Sequence, residues 1–256
     1  MGPLIDDLVA EQNALDAALA AVPEADWGRP SPAEGWLLRD CIAHLAQGDE
    51  MARRVAETRE PLSPTGGDTP SRDALHGRQV EARALSVPEL VDWWRRERDR
   101  LGGALRTCAA RDRLPWAGRR MSARSLATSR LAECWSHGLD ALAAAGQPPI
   151  VTDRIRHVAH LGYITREFAY RNRGLPPPVE PLRVELEAPS GARWTWGPAD
   201  APNRISGSAV DFCRVVTQRV HPSDTDLVAG GSEAAAFLHV AQAFAGPPGS
   251  GRPPSS

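Results

Sequence analysis

Apolar residues in the first part of the chain recur at the spacing of an α-helix. Leu4, Leu8, Leu15 and Leu19 are four or seven residues apart, and Pro23 follows them. Because a helix turns once every 3.6 residues, this spacing places the four leucines on one face, and a proline is a common helix stop. The pattern therefore predicts a first helix over residues 4–22.

Three further segments have the same helical pattern, and two of them begin with a capping residue. Ser86 and Glu89 have the spacing of a capping box, and Ser122 precedes the last segment. Between the third and fourth segments we expect a turn at 114–118, where proline and glycine occur. Four helices with no strand between them are typical of a four-helix bundle. The predicted helices are 4–22, 37–58, 86–105 and 122–145, with a loop at 60–76.

The second half of the chain has a different pattern. A fifth helix is predicted to begin at Thr152 or Asp153, and prolines at 176–178 end the helical region. Residues 182–187 and 193–196 then alternate between apolar and polar and flank a Pro-Ser-Gly-Ala turn, which is typical of a β-hairpin. Shorter segments predict a strand at 204–206, a helix at 209–219, a strand at 226–229 and a helix at 232–244.

These patterns predict an α+β protein of two domains. A four-helix bundle at 1–148 is followed, at 149–245, by a linking helix and a smaller α+β domain. The tail at 246–256 consists mostly of glycine, proline and serine. Such a segment lacks the apolar residues that packing requires, so we expect it to be disordered. At 256 residues the chain is long enough for two cores of ordinary size.

Composition and charge argue against several classes of partner. The formal net charge is −2 and no run of like charge occurs, so we expect no nucleic-acid-binding surface. No apolar run approaches the ~20 residues of a membrane span, and the N-terminus lacks the layout of a signal peptide. The four cysteines include no Cys-x-x-Cys pair and are expected to be reduced thiols. We therefore expect a cytoplasmic protein with no membrane partner, and a homodimer stays open.

Candidate chemistry lies in the predicted second and fourth helices. Glu133 and His137 are four residues apart and share a helix face, so the carboxylate and the imidazole can bind one divalent metal. A salt bridge on the helix surface is the alternative for this pair. His44 is the candidate third ligand, because facing helices of a bundle commonly form metal sites. Asp140 is expected either to orient a ligand or to pair with an arginine.

The order of these residues resembles a known family. Over roughly residues 1–148 the chain resembles the DinB-like metal-binding bundles, and within them the branch of the mycothiol-dependent maleylpyruvate isomerases and the bacillithiol and mycothiol S-transferases. The resemblance implies that two histidines and a glutamate bind a divalent metal, usually zinc. The residues that carry it are Gly35, Trp36, Asp40, His44 and Leu45, followed by Glu133, His137, Gly138 and Asp140.

The second predicted domain extends the resemblance to the C-terminal domain of the same family. The hairpin, the turn at 205–207 and the helix that ends at Arg219 are similar to that domain. The resemblance implies that Arg219 takes part in catalysis, whereas an arginine closing a helix can instead bind helix carbonyl groups. His157 and Arg166 are further candidates, which would bind the cofactor or an anionic group of the substrate.

The resemblance implies a metal-dependent enzyme that uses a mycothiol-like thiol of low molecular weight. The thiol would attack an electrophilic small molecule, and the enzyme would be an isomerase if the thiol is released or an S-transferase if it is retained. Two alternatives stay open. One is a thiol-independent, metal-dependent lyase, hydrolase or cyclase of a specialised pathway, and the other is a non-catalytic metal-binding protein.

Overall fold

A computed structural model describes residues 1–62, 77, 80–116 and 118–255. The chain divides into two compact units, Met1–Ile150 and Val151–Ser256. Most of the loop predicted at 60–76 lies outside the described residues. No helix within them is both long enough and apolar enough to cross a lipid bilayer.

The described part of the first unit contains four long helices, as the helical pattern predicts. Ser86 Oγ accepts a hydrogen bond from the backbone N–H of Glu89, and Ser122 Oγ accepts one from Ser125, so both predicted caps are confirmed. Each cap satisfies one of the N–H groups that the first helical turn leaves without a partner. The helices are α1 (Gly2–Leu19), α2 (Leu38–Thr58), α3 (Val87–Arg106) and α4 (Ala123–Ala144).

The apolar faces of these helices form the core of the first unit. α2 packs against both α3 and α4, and α1 packs against α4. Leu15 of α1, Ile42 and Leu45 of α2 and Trp94 of α3 are at most 2% exposed. Burial of a side chain of this size contributes ~1.5–3 kcal/mol. This packing holds α2 beside α4, and these two helices carry the candidate metal ligands.

A buried ion pair also joins α2 to α4. Arg130 Nε lies 2.9 Å from Asp49 Oδ1, and Gln12 Nε2 donates to Asp49 Oδ2 at 3.0 Å. Burial raises the pKa of Asp49, and the charge and hydrogen bond of Arg130 oppose that effect. Leaving either charge buried without its partner would be strongly destabilising, so the pair favours packings of the two helices in which Arg130 and Asp49 meet.

The prediction that no strand separates the third and fourth helices is wrong. β1 (Arg113–Trp116) and β2 (Arg119–Ser122) form an antiparallel hairpin there, with Leu114 opposite Met121. Of the four residues of β1 only Leu114 is fully buried, so the strand has no alternating pattern to detect. Pro115 lies within β1, and a proline inside a segment favours the prediction of a turn over that of a strand.

The second unit is an α+β structure, as predicted, and its sheet has four strands. The elements are α5 (Arg156–Ile164), α6 (Arg166–Asn172), β3 (Leu182–Glu187), β4 (Arg193–Trp196), β5 (Asn203–Ser208), α7 (Ala209–Val216), β6 (Val228–Gly230) and α8 (Ser232–Val240). The predicted hairpin, formed by β3 and β4, is confirmed, with Glu187 opposite Arg193. The sheet order is β4-β3-β5-β6, and β3 and β5 are parallel neighbours although β4 lies between them in sequence.

One face of this sheet is buried against helices. Val184 of β3 and Ile205 of β5 are fully buried, as are Phe212 of α7 and, to within 1%, Phe237 of α8. α7 packs against β3 and β5, and α8 packs against β5 and β6. These aromatic side chains supply much of the core of the second unit.

Three predicted helices of this unit are shorter than expected, and the one predicted at 232–244 ends at Val240. The fifth is interrupted at Thr165, whose hydroxyl donates to the carbonyl of Leu161 at 2.8 Å, and a side chain bonded in this way competes with the helix backbone. The helix predicted at 209–219 ends at Val216, because Gln218 adopts a left-handed conformation with φ of 59°. The backbone N–H of Arg219 then donates to the carbonyl of Arg214 at 2.7 Å and closes the helix end.

Candidate metal centre

Three side chains from α2 and α4 meet at one point. Glu133 Oε2 lies 3.2 Å from His44 Nε2 and 3.4 Å from His137 Nε2. The two imidazole rings are 4.5 Å apart, centroid to centroid. Glu133 and His137 are one turn apart on α4, and the packing of α2 on α4 brings His44 to the same place. The structure thus places together the three residues that the sequence nominates as ligands.

The spacing of these atoms fits a single metal ion. Ligand atoms about 2.1 Å from a tetrahedral zinc ion are about 3.4 Å from one another. All three ligand atoms here lie within 4.8 Å of one another. In the described part of the chain no other set of three or more His, Cys, Asp and Glu side chains is grouped so closely. Two imidazole nitrogens and a carboxylate oxygen suit zinc and several other divalent ions.

The donor set leaves room for a further ligand. The side chains of His44, Glu133 and His137 are 26%, 22% and 13% exposed, so the site lies at the edge of the bundle rather than sealed in its core. Three protein ligands with an open position are typical of a catalytic metal, whereas structural zinc sites are closed by four. The arrangement can therefore hold a metal that also contacts a small molecule.

Glu133 is ionised in this environment. Burial raises the pKa of its carboxyl group, but the hydrogen bonds and charges of His137 and His44 outweigh burial and hold the pKa well below its usual value. A metal ligand must be deprotonated to bind, so Glu133 meets this condition at neutral pH.

Asp140 lies on the far side of one ligand. Its Oδ2 atom is 3.6 Å from His137 Nδ1, and the carboxylate is only 2% exposed. This distance is too long for a formed hydrogen bond but places a negative charge beside the nitrogen that faces away from Glu133. A carboxylate that accepts a hydrogen bond from the second nitrogen of a metal-binding imidazole holds that imidazole in one tautomer and orientation. Orientation of a ligand and pairing with an arginine both stay predictions for Asp140.

Trp36 contacts the site, and the sequence did not assign it a role there. Its ring is stacked on His137, with centroids 5.2 Å apart and planes at 11°, and lies 5.2 Å from His44 at 56°. Trp36 precedes α2, so its distance from His137 along the chain hides this contact. The available signal was its place beside Gly35 in the motif that carries the family resemblance.

Two candidate residues of the second unit, Arg166 and Arg219, have partners within that unit. Arg166 Nη2 lies 2.7 Å from Glu233 Oε2, and its Nη1 donates to the carbonyl of Glu180 at 2.8 Å. Arg219 lies beyond the end of α7 rather than in its last turn, and its Nη1 donates to the carbonyl of Thr217 at 2.6 Å. His157 lies half-buried on α5. Their roles in binding or catalysis stay predictions.

Comparison with known proteins places two segments of this chain. Residues 8–142, which include all three candidate ligands, match the family described as the mycothiol maleylpyruvate isomerase N-terminal domain. Residues 178–230, which contain the sheet of the second unit, match a family described as wyosine base formation.

Full-length relatives and solved structures extend these matches. Uncharacterised proteins from two strains of Mycobacterium tuberculosis are each 43% identical over 253 residues, which is 98% of this chain and 98% of theirs. The crystal structure of a mycothiol-dependent maleylpyruvate isomerase has a similar fold, with a TM-score of 0.59, and a mutant of it gives 0.61. Both are 21% identical to this chain and cover 90% of it and 94% of the solved chain.

Proposed function

Because the chain belongs to the family of the mycothiol maleylpyruvate isomerase N-terminal domain, we propose that it is a metal-dependent enzyme that uses a low-molecular-weight thiol of the mycothiol class. Its substrate would be an electrophilic small molecule, and its reaction an isomerisation or an S-transfer. The fold similarity to a mycothiol-dependent maleylpyruvate isomerase supports this class of thiol.

One observation carries the metal part of the proposal. Nε2 of His44, Nε2 of His137 and Oε2 of Glu133 converge with the separations expected around one ion. A surface salt bridge, the alternative reading of Glu133 and His137, requires no second histidine from another helix. We propose these three residues as the ligands, with zinc as the first ion to test.

The chain's own residues prepare this site for a thiol. A bound divalent ion supplies Lewis acidity, which lowers the pKa of a thiol that it contacts. Glu133 contributes the one negative charge of the ligand set, so a site holding a divalent ion stays net positive and attracts a thiolate. Asp140, whose carboxylate lies 3.6 Å from His137 Nδ1, would keep His137 turned toward Glu133.

We propose Arg219 as the group that binds an anionic part of the substrate. The support is its position in the family resemblance and the fixed turn in which Gln218 and Arg219 lie. A guanidinium suits a carboxylate, because its N–H groups can form two parallel hydrogen bonds. His157 is a second candidate for this role. Arg166, which forms an ion pair with Glu233, is a third candidate.

Metal dependence and thiol dependence can be tested separately on the purified protein. We expect protein stripped with a chelator and reloaded with Zn²⁺ to need mycothiol for turnover of maleylpyruvate or of chlorodinitrobenzene, which probe isomerisation and S-transfer. His44→Ala and His137→Ala should lose the bound metal, as measured by elemental analysis, and should also lose the turnover. His160→Ala, at an exposed position of α5, is the matched control and should lose neither.

Each alternative function predicts a different result in this experiment. Full metal occupancy in both histidine variants would show that the ligand assignment is wrong. Turnover in the absence of any thiol would favour the lyase, hydrolase or cyclase. Bound metal with no turnover of either electrophile would favour the non-catalytic metal-binding protein.

A further inference from the structure

Trp36 contacts both histidines of the candidate metal centre. Its ring centroid is 5.2 Å from each imidazole, nearly parallel to His137 and tilted against His44. The imidazoles in turn lie 4.5 Å apart. The three rings therefore form one packed group, in which each imidazole contacts both the indole and the other imidazole.

The backbone on both sides of Trp36 is held by hydrogen bonds. The backbone carbonyl of Trp36 accepts a hydrogen bond from the N–H of Ser31 at 2.8 Å. The backbone N–H of Trp36 donates to the carbonyl of Ala33 at 3.0 Å. Directly after it, the N–H of Leu37 donates to Asp40 Oδ2 at 2.9 Å. The indole is thus attached to a segment whose backbone is held in place by these hydrogen bonds.

The side chain of Asp40 is held in place as well. Arg83 donates to Asp40 from Nε at 2.9 Å and from Nη2 at 2.6 Å, a two-point ion pair with a carboxylate that is 1% exposed as a residue. Such bidentate pairs have a defined geometry. Because Asp40 is fixed in this way, its hydrogen bond from the backbone N–H of Leu37 also fixes the start of α2 and the residue before it. These hydrogen bonds hold the backbone that places Trp36 against the two histidines.

We propose that Trp36 is a positioning residue for the metal: its indole holds the planes of His44 and His137 and favours their metal-bound form. The inference rests on the metal centre of the proposed function. Binding to a cation draws electron density from an imidazole and makes its ring more positive. The negative face of an indole attracts positive charge more strongly than the face of any other aromatic side chain. The indole therefore stabilises the metal-bound state more than the metal-free state.

Zinc affinity measured by competition with a chelator tests this role. We expect Trp36→Leu, which keeps an apolar side chain but has no aromatic face, to bind Zn²⁺ about tenfold more weakly, as for other groups that orient metal ligands. Trp36→Phe keeps a smaller aromatic face and should lose about threefold. Trp93→Leu and Trp93→Phe are matched controls, because Trp93 is also partly buried against the same core. They should bind Zn²⁺ as the wild type does.

A second measurement separates positioning from loss of stability. With Co²⁺ in place of Zn²⁺, the visible absorption should change in the Trp36 variants and stay unchanged in the Trp93 variants, since that absorption depends on ligand geometry. Unchanged affinity in both Trp36 variants would overturn the inference, as would equal losses in the Trp93 variants. Should Trp36→Leu not fold, Trp36→Phe against Trp93→Phe decides. A wild-type protein that binds no divalent metal would overturn both this inference and the proposed function.

Discussion

Asp16 on α1 accepts hydrogen bonds from two arginines of α3. Arg95 Nη2 and Arg98 Nη2 lie 2.8 and 2.7 Å from its two oxygens, and Arg98 is itself buried. Burial raises the pKa of Asp16, but the hydrogen bond of Arg95 and the charges of both arginines outweigh burial, and the net shift is downward. The ionised form is therefore the one that the folded state stabilises.

This shift predicts a pH-dependent contribution to stability. Because the folded pKa of Asp16 is lower than the unfolded one, its contribution is complete above the unfolded pKa, about 3.9, and disappears as the pH falls through the folded pKa. We expect Asp16→Asn to lower the free energy of unfolding by about 1–3 kcal/mol at pH 7. The difference from the wild type should vanish in acid, as measured by urea unfolding at several pH values.

A neighbouring carboxylate provides the control for this prediction. Asp92 is 71% exposed and lies 3.9 Å from Arg95. An exposed pair of this kind contributes ~0–1 kcal/mol, so Asp92→Asn should change the free energy of unfolding little at any pH. A loss in Asp16→Asn that stays constant down to strongly acidic pH would contradict the ion-pair explanation.

At the scale of elements, Gly48 determines how closely α2 and α4 approach. A Cβ atom at this position would lie 2.5 Å from Arg130 Nη1, which is bound to the buried Asp49. Glycine inside a helix is normally unfavourable by about 0.5–1 kcal/mol relative to alanine. The glycine is tolerated here because it leaves room for the guanidinium that joins the two helices.

Two glycine-to-alanine substitutions should therefore change the free energy of unfolding in opposite directions. Gly48→Ala is expected to destabilise the protein by about 1–3 kcal/mol, because the new Cβ would push the Arg130 guanidinium away from its position beside the buried Asp49. Gly103→Ala in α3 has no atom within 4 Å of the new Cβ and should stabilise by about 0.5–1 kcal/mol. Chemical unfolding of both variants measures the difference. A neutral or stabilising Gly48→Ala would show that Arg130 can shift without loss.

At the scale of the whole molecule, the proposed metal site predicts a link between metal binding and folding. The three candidate ligands come from α2 and α4, so an ion that binds them would stabilise only the state in which these helices are packed together. An ion that binds the folded state alone stabilises it by about 2.7 kcal/mol at a free concentration of 100 times Kd.

Zn²⁺ should accordingly raise the temperature of unfolding. For a first unit of this size the expected increase is about 5–10 °C at that concentration, measured by the loss of helical circular dichroism with and without a chelator. His44→Ala should abolish the increase, because it removes the α2 ligand. An equal increase in His44→Ala would show that Zn²⁺ stabilises the protein from another site.

Local patterns were sufficient for most elements and for the identity of the candidate ligands. The caps at Ser86 and Ser122 and the leucine spacing of α1 depend on residues within a few positions of one another. Glu133 and His137 are likewise related by a single helical turn. The errors at Thr165 and Gln218 are also local in position, but they arise from a side-chain hydrogen bond and a left-handed backbone conformation that residue type alone does not specify.

What the sequence by itself determined is therefore the helical bundle, the α+β character of the second half and the list of candidate metal ligands. Only the tertiary structure decided that His44 meets Glu133, that Trp36 stacks on His137, that Arg130 reaches Asp49 and that β5 lies beside β3. The physical reason is the range of the interactions. Helical periodicity and capping act over a few residues, whereas these contacts join residues far apart in the chain and exist only after the apolar faces have packed.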